Sequence, residues 1–137
     1  LGHDIEASWL LHEALIVLGD RKLLECYVPY VRQIASASNE GIYKDGAMIY
    51  EKWLDSGRID EERHWWVQYE NIIGHINLYE HFGYEDALDK SIRCWAFIKK
   101  HLIDWANGEW YWSTYPDGNI NTNDDKAGFW KCPYHNG

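Results

Sequence analysis

The sequence is poor in several features that mark common protein classes. It has three cysteines, Cys26, Cys94 and Cys132, and no CxxC spacing. It therefore offers neither a disulfide framework nor a cysteine-based zinc site, and a reducing, cytoplasmic setting is the simplest interpretation. No HExxH spacing, glycine-rich phosphate loop or nucleophile elbow is present, so the sequence predicts no metal site of the familiar kinds and no phosphate-binding loop.

Positive charge is also scarce. The 137 residues carry 13 Lys and Arg against 22 Asp and Glu, which gives a formal net charge of −9. Nucleic acids and polyphosphates need basic patches, so we expect neither as a partner, whereas a neutral sugar is compatible with this balance. No apolar stretch is long enough to span a membrane, and no signal peptide is visible.

Aromatic side chains, in contrast, are abundant, with nine Trp and ten Tyr. A core built from aromatic rings would account for most of them. Rigid ring faces can also stack on the C–H faces of sugars. The rings nearest to candidate catalytic groups are therefore the best candidates for that second role.

The first third of the chain predicts a pair of helices. Residues Ile5–Leu18 are apolar on nearly every face, which is typical of a buried helix, and Gly19 ends the pattern. Residues Lys22–Ala37 carry apolar side chains on one face only, which predicts a helix with a solvent-exposed side. Pro29 falls inside this second helix and is expected to kink or restart it.

The same pattern then recurs. Residues Trp65–Phe82 form a second strongly apolar stretch that ends at Gly83, and Tyr84–Ile103 is again apolar on one face. Aligning the two terminating glycines also aligns Glu6 with Glu70. One buried helix, one half-exposed helix and a long loop therefore form a repeating unit that occurs twice.

Alternating buried and half-exposed helices predict an all-α fold in which inner helices are ringed by outer ones, an (α/α) barrel or toroid. A third unit is expected to start at His135, and two hairpins cannot close a ring, so we expect the chain, which begins at Leu1, to be a piece of a longer protein. The loops are expected to hold short β-hairpins, one at Glu109–Tyr115 before a Pro-Asp-Gly turn and another at Ala47–Trp53.

Two histidines stand out as candidate acid and base groups. His3 and Glu6 are three residues apart and so share a helix face at the start of the first inner helix. Capping of that helix by Asp4 and Glu6 is an equally simple explanation of its acidic residues. His135 would lie at the start of the third inner helix, where the helix dipole would help to keep it neutral and able to act as a base.

Other candidates surround these histidines. Trp65 and Trp66 open the second inner helix, and because adjacent side chains point in different directions, one ring can pack while the other lines a pocket. Glu70 lies at the repeat-equivalent position of Glu6, and Trp130 precedes His135 by five residues. Five further histidines are poorer candidates, and two of them, His12 and His101, look like surface residues; the set is His12, His64, His75, His81 and His101.

Three segments resemble the cellobiose 2-epimerases of the N-acylglucosamine 2-epimerase superfamily. They are Gly2–Leu11 (GHDIEASWLL), Trp65–Glu70 (WWVQYE) and Trp130–Asn136 (WKCPYHN). Tyr69 departs from the small residue expected at its position. The resemblance covers the whole chain and implies that residues 1–137 form the C-terminal portion of a single (α/α)6-barrel catalytic domain.

The resemblance also implies a reaction and the residues that carry it. Such an enzyme inverts C2 of the reducing-end glucose of a β-1,4-linked disaccharide through an enediolate, without a metal or organic cofactor. His135 would move the C2 proton, and His3 would act as acid and base on the sugar oxygens. Trp65, Trp66, Trp130, Glu6 and Glu70 would bind the substrate.

Three alternatives stay open from the sequence. An (α/α)-barrel glycoside hydrolase would need two carboxylates about 5–10 Å apart, and Glu6 with Glu70 is the evident pair. The second alternative is a related N-acylglucosamine 2-epimerase or mannose isomerase. The third is a sugar-binding toroid without catalytic activity. The resemblance places a further histidine and an arginine upstream of Leu1, and we expect the parent enzyme to be a monomer or a weak dimer.

Overall fold

Four helices arranged as two hairpins form the framework of the chain. The structure is a computed structural model and describes residues 1–131 and residue 135. The first hairpin joins α1 (Gly2–Leu18) to α2 (Arg21–Ser38), and the second joins α3 (Trp65–Phe82) to α4 (Glu85–His101). The third inner helix that was expected at His135 falls on the final residues and lies outside the described part, apart from His135 itself.

Both hairpins turn in the same way. Gly19 ends α1 with a φ of 65°, and Gly83 ends α3 with a φ of 70°, a left-handed conformation that is costly for residues with a Cβ. After the first turn, the side chain of Asp20 accepts hydrogen bonds from the backbone N–H groups of Lys22 and Leu23 and so caps α2. The repeat predicted from the sequence therefore has a structural counterpart at the end of each inner helix.

Of the two effects expected of Pro29, a kink or a restart of the helix, the restart does not occur, because a single helix runs from Arg21 to Ser38. Proline removes one backbone N–H and leaves the carbonyl four residues earlier, that of Glu25, without its helical partner. Both residues lie on the exposed side of the helix. Water can therefore hydrogen-bond to the freed carbonyl, which reduces the cost of the proline.

The two inner helices approach each other closely at Gly74. A Cβ placed on this residue would lie 2.3 Å from Cγ1 of Ile5, so only glycine leaves room for α1 at this crossing. Ile5 is fully buried there. Around this contact lies the larger of two apolar clusters, formed by Ile5, Ala35, Met48, Val67, Leu78 and Ala87.

α1 is not enclosed on all sides within this chain. The side chains of Leu11, Val17 and Leu18 are 49%, 84% and 66% exposed. In the described part of the chain, only α2 and α3 make extensive contacts with α1, so one side of an apolar helix faces solvent, and its burial on all faces stays a prediction for the whole protein. The apolar stripes of α2 and α4 are narrower than predicted, since Tyr27, Ile92 and others of their apolar residues are exposed.

Short strands form in both regions where hairpins were expected. β1 (Glu51–Lys52) pairs antiparallel with β2 (Ile59–Asp60), and β3 (Arg63–His64) pairs antiparallel with β4 (Ser113–Thr114). β4 thus pairs with the strand that leads into α3, and its own local turn is closed by an isolated bridge to Ile120 and by a 2.8 Å hydrogen bond from the N–H of Tyr115 to the backbone oxygen of Asn119. This pairing brings the second long loop to the start of α3.

Two of the lesser histidines lie in the interior, which corrects one sequence-based expectation. His12 was predicted to be a surface residue, yet it is 5% exposed and packs against Phe82. His75 is fully buried, where its Nδ1 lies 2.8 Å from the backbone oxygen of Asn71. His101, the other predicted surface residue, is half-buried and stacks on Phe97.

Across the described residues, none of the helices combines the length and the apolar character needed to cross a membrane.

Candidate active site

An open cavity of about 550 Å³ lies at the N-terminal ends of α1 and α3. A cavity of this size is within the range found for small-molecule sites. Most of the predicted site residues line it together with two aromatic residues that were not predicted. The lining residues are His3, Glu6, Tyr50, Trp65, Trp66, Trp112, Trp130 and His135. Two helices, two loops and the C-terminal segment thus converge on one space.

His135 is held in the cavity wall by a buried carboxylate. Its Nδ1 lies 2.7 Å from Oε1 of Glu70, and Oε2 of the same carboxylate accepts a hydrogen bond of 2.6 Å from the indole N–H of Trp9. Glu70 itself is only 2% exposed. An Nδ1–H donor to a carboxylate fixes the imidazole tautomer and leaves Nε2 as the nitrogen that can take a proton.

The ring of Trp66 contacts both histidines. Its ring centroid lies 4.7 Å from that of His3 and 5.8 Å from that of His135. Trp65 meets the His135 ring edge-on at 5.3 Å, and Tyr69 does so at 6.5 Å. The imidazole of His135 is therefore enclosed by aromatic rings, whereas His3 is more exposed to solvent.

Glu6 contributes a partly buried carboxylate to the cavity. Burial is the main reason that its pKa is raised above the usual glutamate value, and the negative charge of Glu70 raises it further. His135 and His3 act in the opposite direction by favouring the ionised form. The side chain is thus close enough to both histidines and to Glu70 to sense their charges.

The C-terminal segment that carries Trp130 is anchored by a buried lysine. Nζ of Lys131 donates to the backbone oxygen of Trp110, lies 3.6 Å from Glu109 Oε1, and sits 5.2 Å from the centre of the Trp65 ring. Burial lowers the pKa of Lys131. Trp130, next in the chain, lines the cavity while remaining 77% exposed.

Tyr50 and Trp112 line the cavity but were not predicted. Both lie in loop segments that the sequence had marked only as strand-forming. The backbone around Met48 is fixed by Gln68, whose amide makes two hydrogen bonds of 2.8 Å with it. The backbone oxygen of Trp112 accepts a 3.0 Å hydrogen bond from the N–H of Trp65. The sequence feature that could have identified these two residues is the position of an aromatic side chain within a segment predicted to form a strand.

The described residues contain two groups that could hold a metal ion. One consists of Glu6, Glu70 and His135 in the cavity, with potential ligand atoms within 4.8 Å of one another. Both Glu70 oxygens already accept hydrogen bonds there, so a metal would have to displace Trp9 or His135. The second group, His12, Glu13 and His81, lies outside the cavity lining.

Comparisons with known proteins identify a family for this chain. Residues 2–136 match the N-acylglucosamine 2-epimerase (GlcNAc 2-epimerase) family. A cellobiose 2-epimerase from Bacteroides fragilis is 60% identical over 136 residues, which is 99% of this chain and 35% of that protein.

Solved structures show the same likeness. The structure of cellobiose 2-epimerase from Bacillus thermoamylovorans matches 98% of this chain and 34% of its own, with 44% identity and a TM-score of 0.87. A sugar epimerase from a ruminal bacterium matches the same shares, with 38% identity and a TM-score of 0.90. The chain therefore spans about a third of the length of these relatives, and the prediction of an all-α fold, part of an (α/α) barrel, is confirmed.

Proposed function

Since this chain belongs to the N-acylglucosamine 2-epimerase family, we propose that the whole protein is a sugar epimerase that inverts C2 of the reducing-end glucose of β-1,4-linked disaccharides. Cellobiose would become glucosyl-mannose, and lactose would become epilactose. The observation that carries the proposal is that two histidines, His3 and His135, face one aromatic cavity of disaccharide scale. The similarity to cellobiose 2-epimerases supports the choice of substrate.

His135 acts as the base in this scheme. Once the sugar ring opens, C2 lies next to an aldehyde, so removal of its proton gives an enediolate whose charge rests on oxygen. Nε2 of His135 takes the proton, because Nδ1 is engaged with Glu70. The imidazolium formed is stabilised by the adjacent carboxylate. Rotation about the C2–C3 bond then turns the other face of C2 towards His135, and Nε2–H returns a proton to that face, which completes the inversion.

His3 transfers protons to and from the sugar oxygens. It donates a proton when the ring opens and moves protons on the enediolate oxygens, which requires a side chain that is accessible from the cavity. Its ring lies 4.7 Å from that of Trp66, which also contacts His135, and this proximity supports a shared role. Histidine is the side-chain type best suited to acid–base work near neutral pH, and the scheme uses no other group as acid or base.

The remaining lining residues bind the sugar units. Trp66 and Trp130 offer ring faces for stacking, and the exposure of Trp130 suits contact with the sugar that does not react. Glu6 accepts hydrogen bonds from hydroxyl groups. Trp65 completes the wall beside His135, and Tyr50 and Trp112 extend the aromatic surface.

Glu70 receives a different role from the one that the sequence suggested. It is 2% exposed, and its two oxygens are bonded to His135 and Trp9. We infer that it positions the base and does not contact the sugar. The same burial argues against a glycoside hydrolase, because neither of its oxygens is available to attack or to protonate a glycosidic bond.

For the whole protein we propose one catalytic (α/α)6 domain, of which residues 1–137 are the C-terminal portion. A third histidine and an arginine upstream would complete the site. Cys26 and Cys94 are free thiols, which supports a reducing, cytoplasmic setting. A monomer or weak dimer without a bound cofactor remains the expected form.

Incubation of the whole protein with cellobiose in D₂O tests the proposal. We expect glucosyl-mannose with deuterium at C2 in both the substrate and the product pools, as measured by NMR. Release of two glucose molecules would assign the protein to the hydrolases. An unchanged disaccharide that nevertheless binds would leave a sugar-binding protein, and both outcomes would refute the epimerase proposal.

A further inference from the structure

A second cluster of potential ligands lies away from the cavity, towards the C-terminal ends of the inner helices. It contains His12 and Glu13 of α1 and His81 of α3, and one potential ligand atom of each lies within 4.8 Å of those of the other two. His12 follows His3 by nine residues, which corresponds to about 13 Å along a helix. The cluster is therefore separate from the proposed acid–base site.

One ring nitrogen of His12 is held by a hydrogen bond. Its Nδ1 lies 3.1 Å from the amide oxygen Oδ1 of Asn77, and its ring packs against Phe82 at 4.7 Å between centroids. Donation of Nδ1–H to a fixed oxygen keeps the lone pair on Nε2. Metal-binding histidines are commonly held in this way by a hydrogen bond from their second nitrogen.

The other two side chains are free to adjust and can be reached from solvent. His81 and Glu13 are exposed, and the His81 ring meets His12 edge-on at 4.8 Å. His81 also lies in the last turn of α3, where the C-terminal carbonyls carry partial negative charge that favours a cation. Ligands about 2.1 Å from a tetrahedral zinc ion lie roughly 3.4 Å apart, so small rotations of these two exposed side chains suffice.

We propose that His12, Glu13 and His81 bind a divalent transition-metal ion, with Zn²⁺ as the best fit, and that the ion ties α1 to α3. Two imidazoles and one carboxylate form a zinc ligand set that leaves a fourth position for water. Mg²⁺ and Ca²⁺ prefer oxygen ligands and are not expected there. Spacing along the sequence could not reveal this site, because His81 reaches the other two ligands only through the packing of α1 on α3.

Zinc titration of the tag-free, metal-stripped whole protein tests the site. We expect one Zn²⁺ per chain by calorimetry, a Tm higher by several degrees, and no comparable effect of Mg²⁺. His81→Ala should weaken zinc binding at least about tenfold and abolish the rise in Tm. His81 is exposed, so this variant should fold, and His101→Ala, outside the cluster, should keep wild-type zinc binding.

A third variant separates this site from the cavity. His135→Ala removes a ligand of the Glu6–Glu70–His135 group and should leave the zinc stoichiometry unchanged. Absence of saturable zinc binding, equal binding by His81→Ala and wild type, or loss of the ion in His135→Ala would each overturn the proposal. None of these measurements depends on epimerase activity, so the two proposals can fail separately.

Discussion

The two hairpins have the same pattern but differ in what surrounds their inner helices. Glu6 of α1 and Glu70 of α3 occupy equivalent positions before their terminating glycines, yet Glu6 lines the cavity and Glu70 is buried behind it. Another equivalent pair, five residues further along each helix, differs in the same way. Leu11 of α1 is 49% exposed, whereas its counterpart in α3, His75, is fully buried.

Neighbouring elements explain the difference. α3 packs against both α1 and α4, and the two long loops are fixed to its first turns through Gln68 and Trp65. In the described part of the chain, α1 has α2 and α3 as its main neighbours. Equivalent positions in a repeat therefore predict a shared geometry, and the surrounding elements decide whether a carboxylate binds a ligand or supports another side chain.

The largest expected effect concerns His135, the proposed base, which is hydrogen-bonded to Glu70. In the whole protein, His135→Ala should lower kcat by roughly 10²–10⁴-fold because a positioned acid–base group is lost. Disaccharide binding should persist, since the aromatic walls remain. Deuterium incorporation at C2 and calorimetric binding measure the two effects, and wild-type turnover in the variant would show that another group removes the proton.

The pH dependence of the free energy of unfolding tests whether His75 of α3 is buried. Burial lowers its pKa from 6.5 to about 4. Between these values the unfolded chain binds a proton that the folded chain does not, so the free energy of unfolding falls as the pH falls through this window, by roughly 3 kcal/mol in total. Above pH 6.5 His75 is neutral in both the folded and the unfolded chain, and below about pH 4 it is protonated in both, so its contribution no longer changes with pH.

Replacing the group that titrates should flatten this dependence. His75→Gln should show a weaker loss of stability between pH 6.5 and pH 4 than wild type, as measured by denaturant unfolding of the whole protein at several pH values. Equal slopes in the two proteins would mean that His75 is accessible to water and that α3 is less completely enclosed than the structure indicates.

Replacing each of the two equivalent carboxylates, Glu6 and Glu70, by an amide tests whether they have different roles. Glu70→Gln should lower kcat about 10–100-fold with a smaller change in KM, because the support of His135 is weakened. Glu6→Gln should mainly raise KM, since Glu6 faces the substrate in the proposed complex. Steady-state kinetics of both variants test these roles. If Glu70→Gln mainly raised KM and Glu6→Gln mainly lowered kcat, Glu70 would be the residue that binds substrate and Glu6 the one that positions His135.

The smallest effect is expected where the two inner helices cross. Gly74→Ala should lower the free energy of unfolding by about 1–2 kcal/mol, because its Cβ would clash with Ile5 and only part of that cost is offset by the better helix propensity of alanine. In an Ile5→Ala background the same change should cost little. Equal costs in both backgrounds would show that the helices are not in close contact there.

The sequence predicted the helices better than it predicted their environment. α3 spans Trp65–Phe82 as expected, and α4 differs from the prediction by only a residue or two at each end. Periodic apolar patterns and glycine C-caps act within one segment, so they can be read locally. The number of helices that cover α1 is a property of the assembled fold, so burial on all its faces stays a prediction for the whole protein.

The site was predictable to the extent that its residues lie near helix starts. His3, Glu6, Trp65 and Trp66 come from the first two turns of their helices, and all of them line the cavity. The interior position of His12 could not be read from α1, because its partners belong to α3. Trp112 lies beside β4, which pairs with β3 of the other loop, and the loop segment that carries Tyr50 is bonded to Gln68 at Met48. These contacts join segments that are distant in the sequence, so a local pattern does not specify them.

The hydrogen bonds of Glu70 have a consequence for the order of folding. Its partners Trp9 and His135 are separated from it by 61 and 65 residues along the chain, whereas each helical hairpin is built from local contacts. Local contacts form quickly and long-range ones slowly. Helical structure should therefore return early when the whole protein is refolded, and the junction of Trp9, Glu70 and His135 should close late. Recovery of activity would then lag behind recovery of the circular dichroism signal.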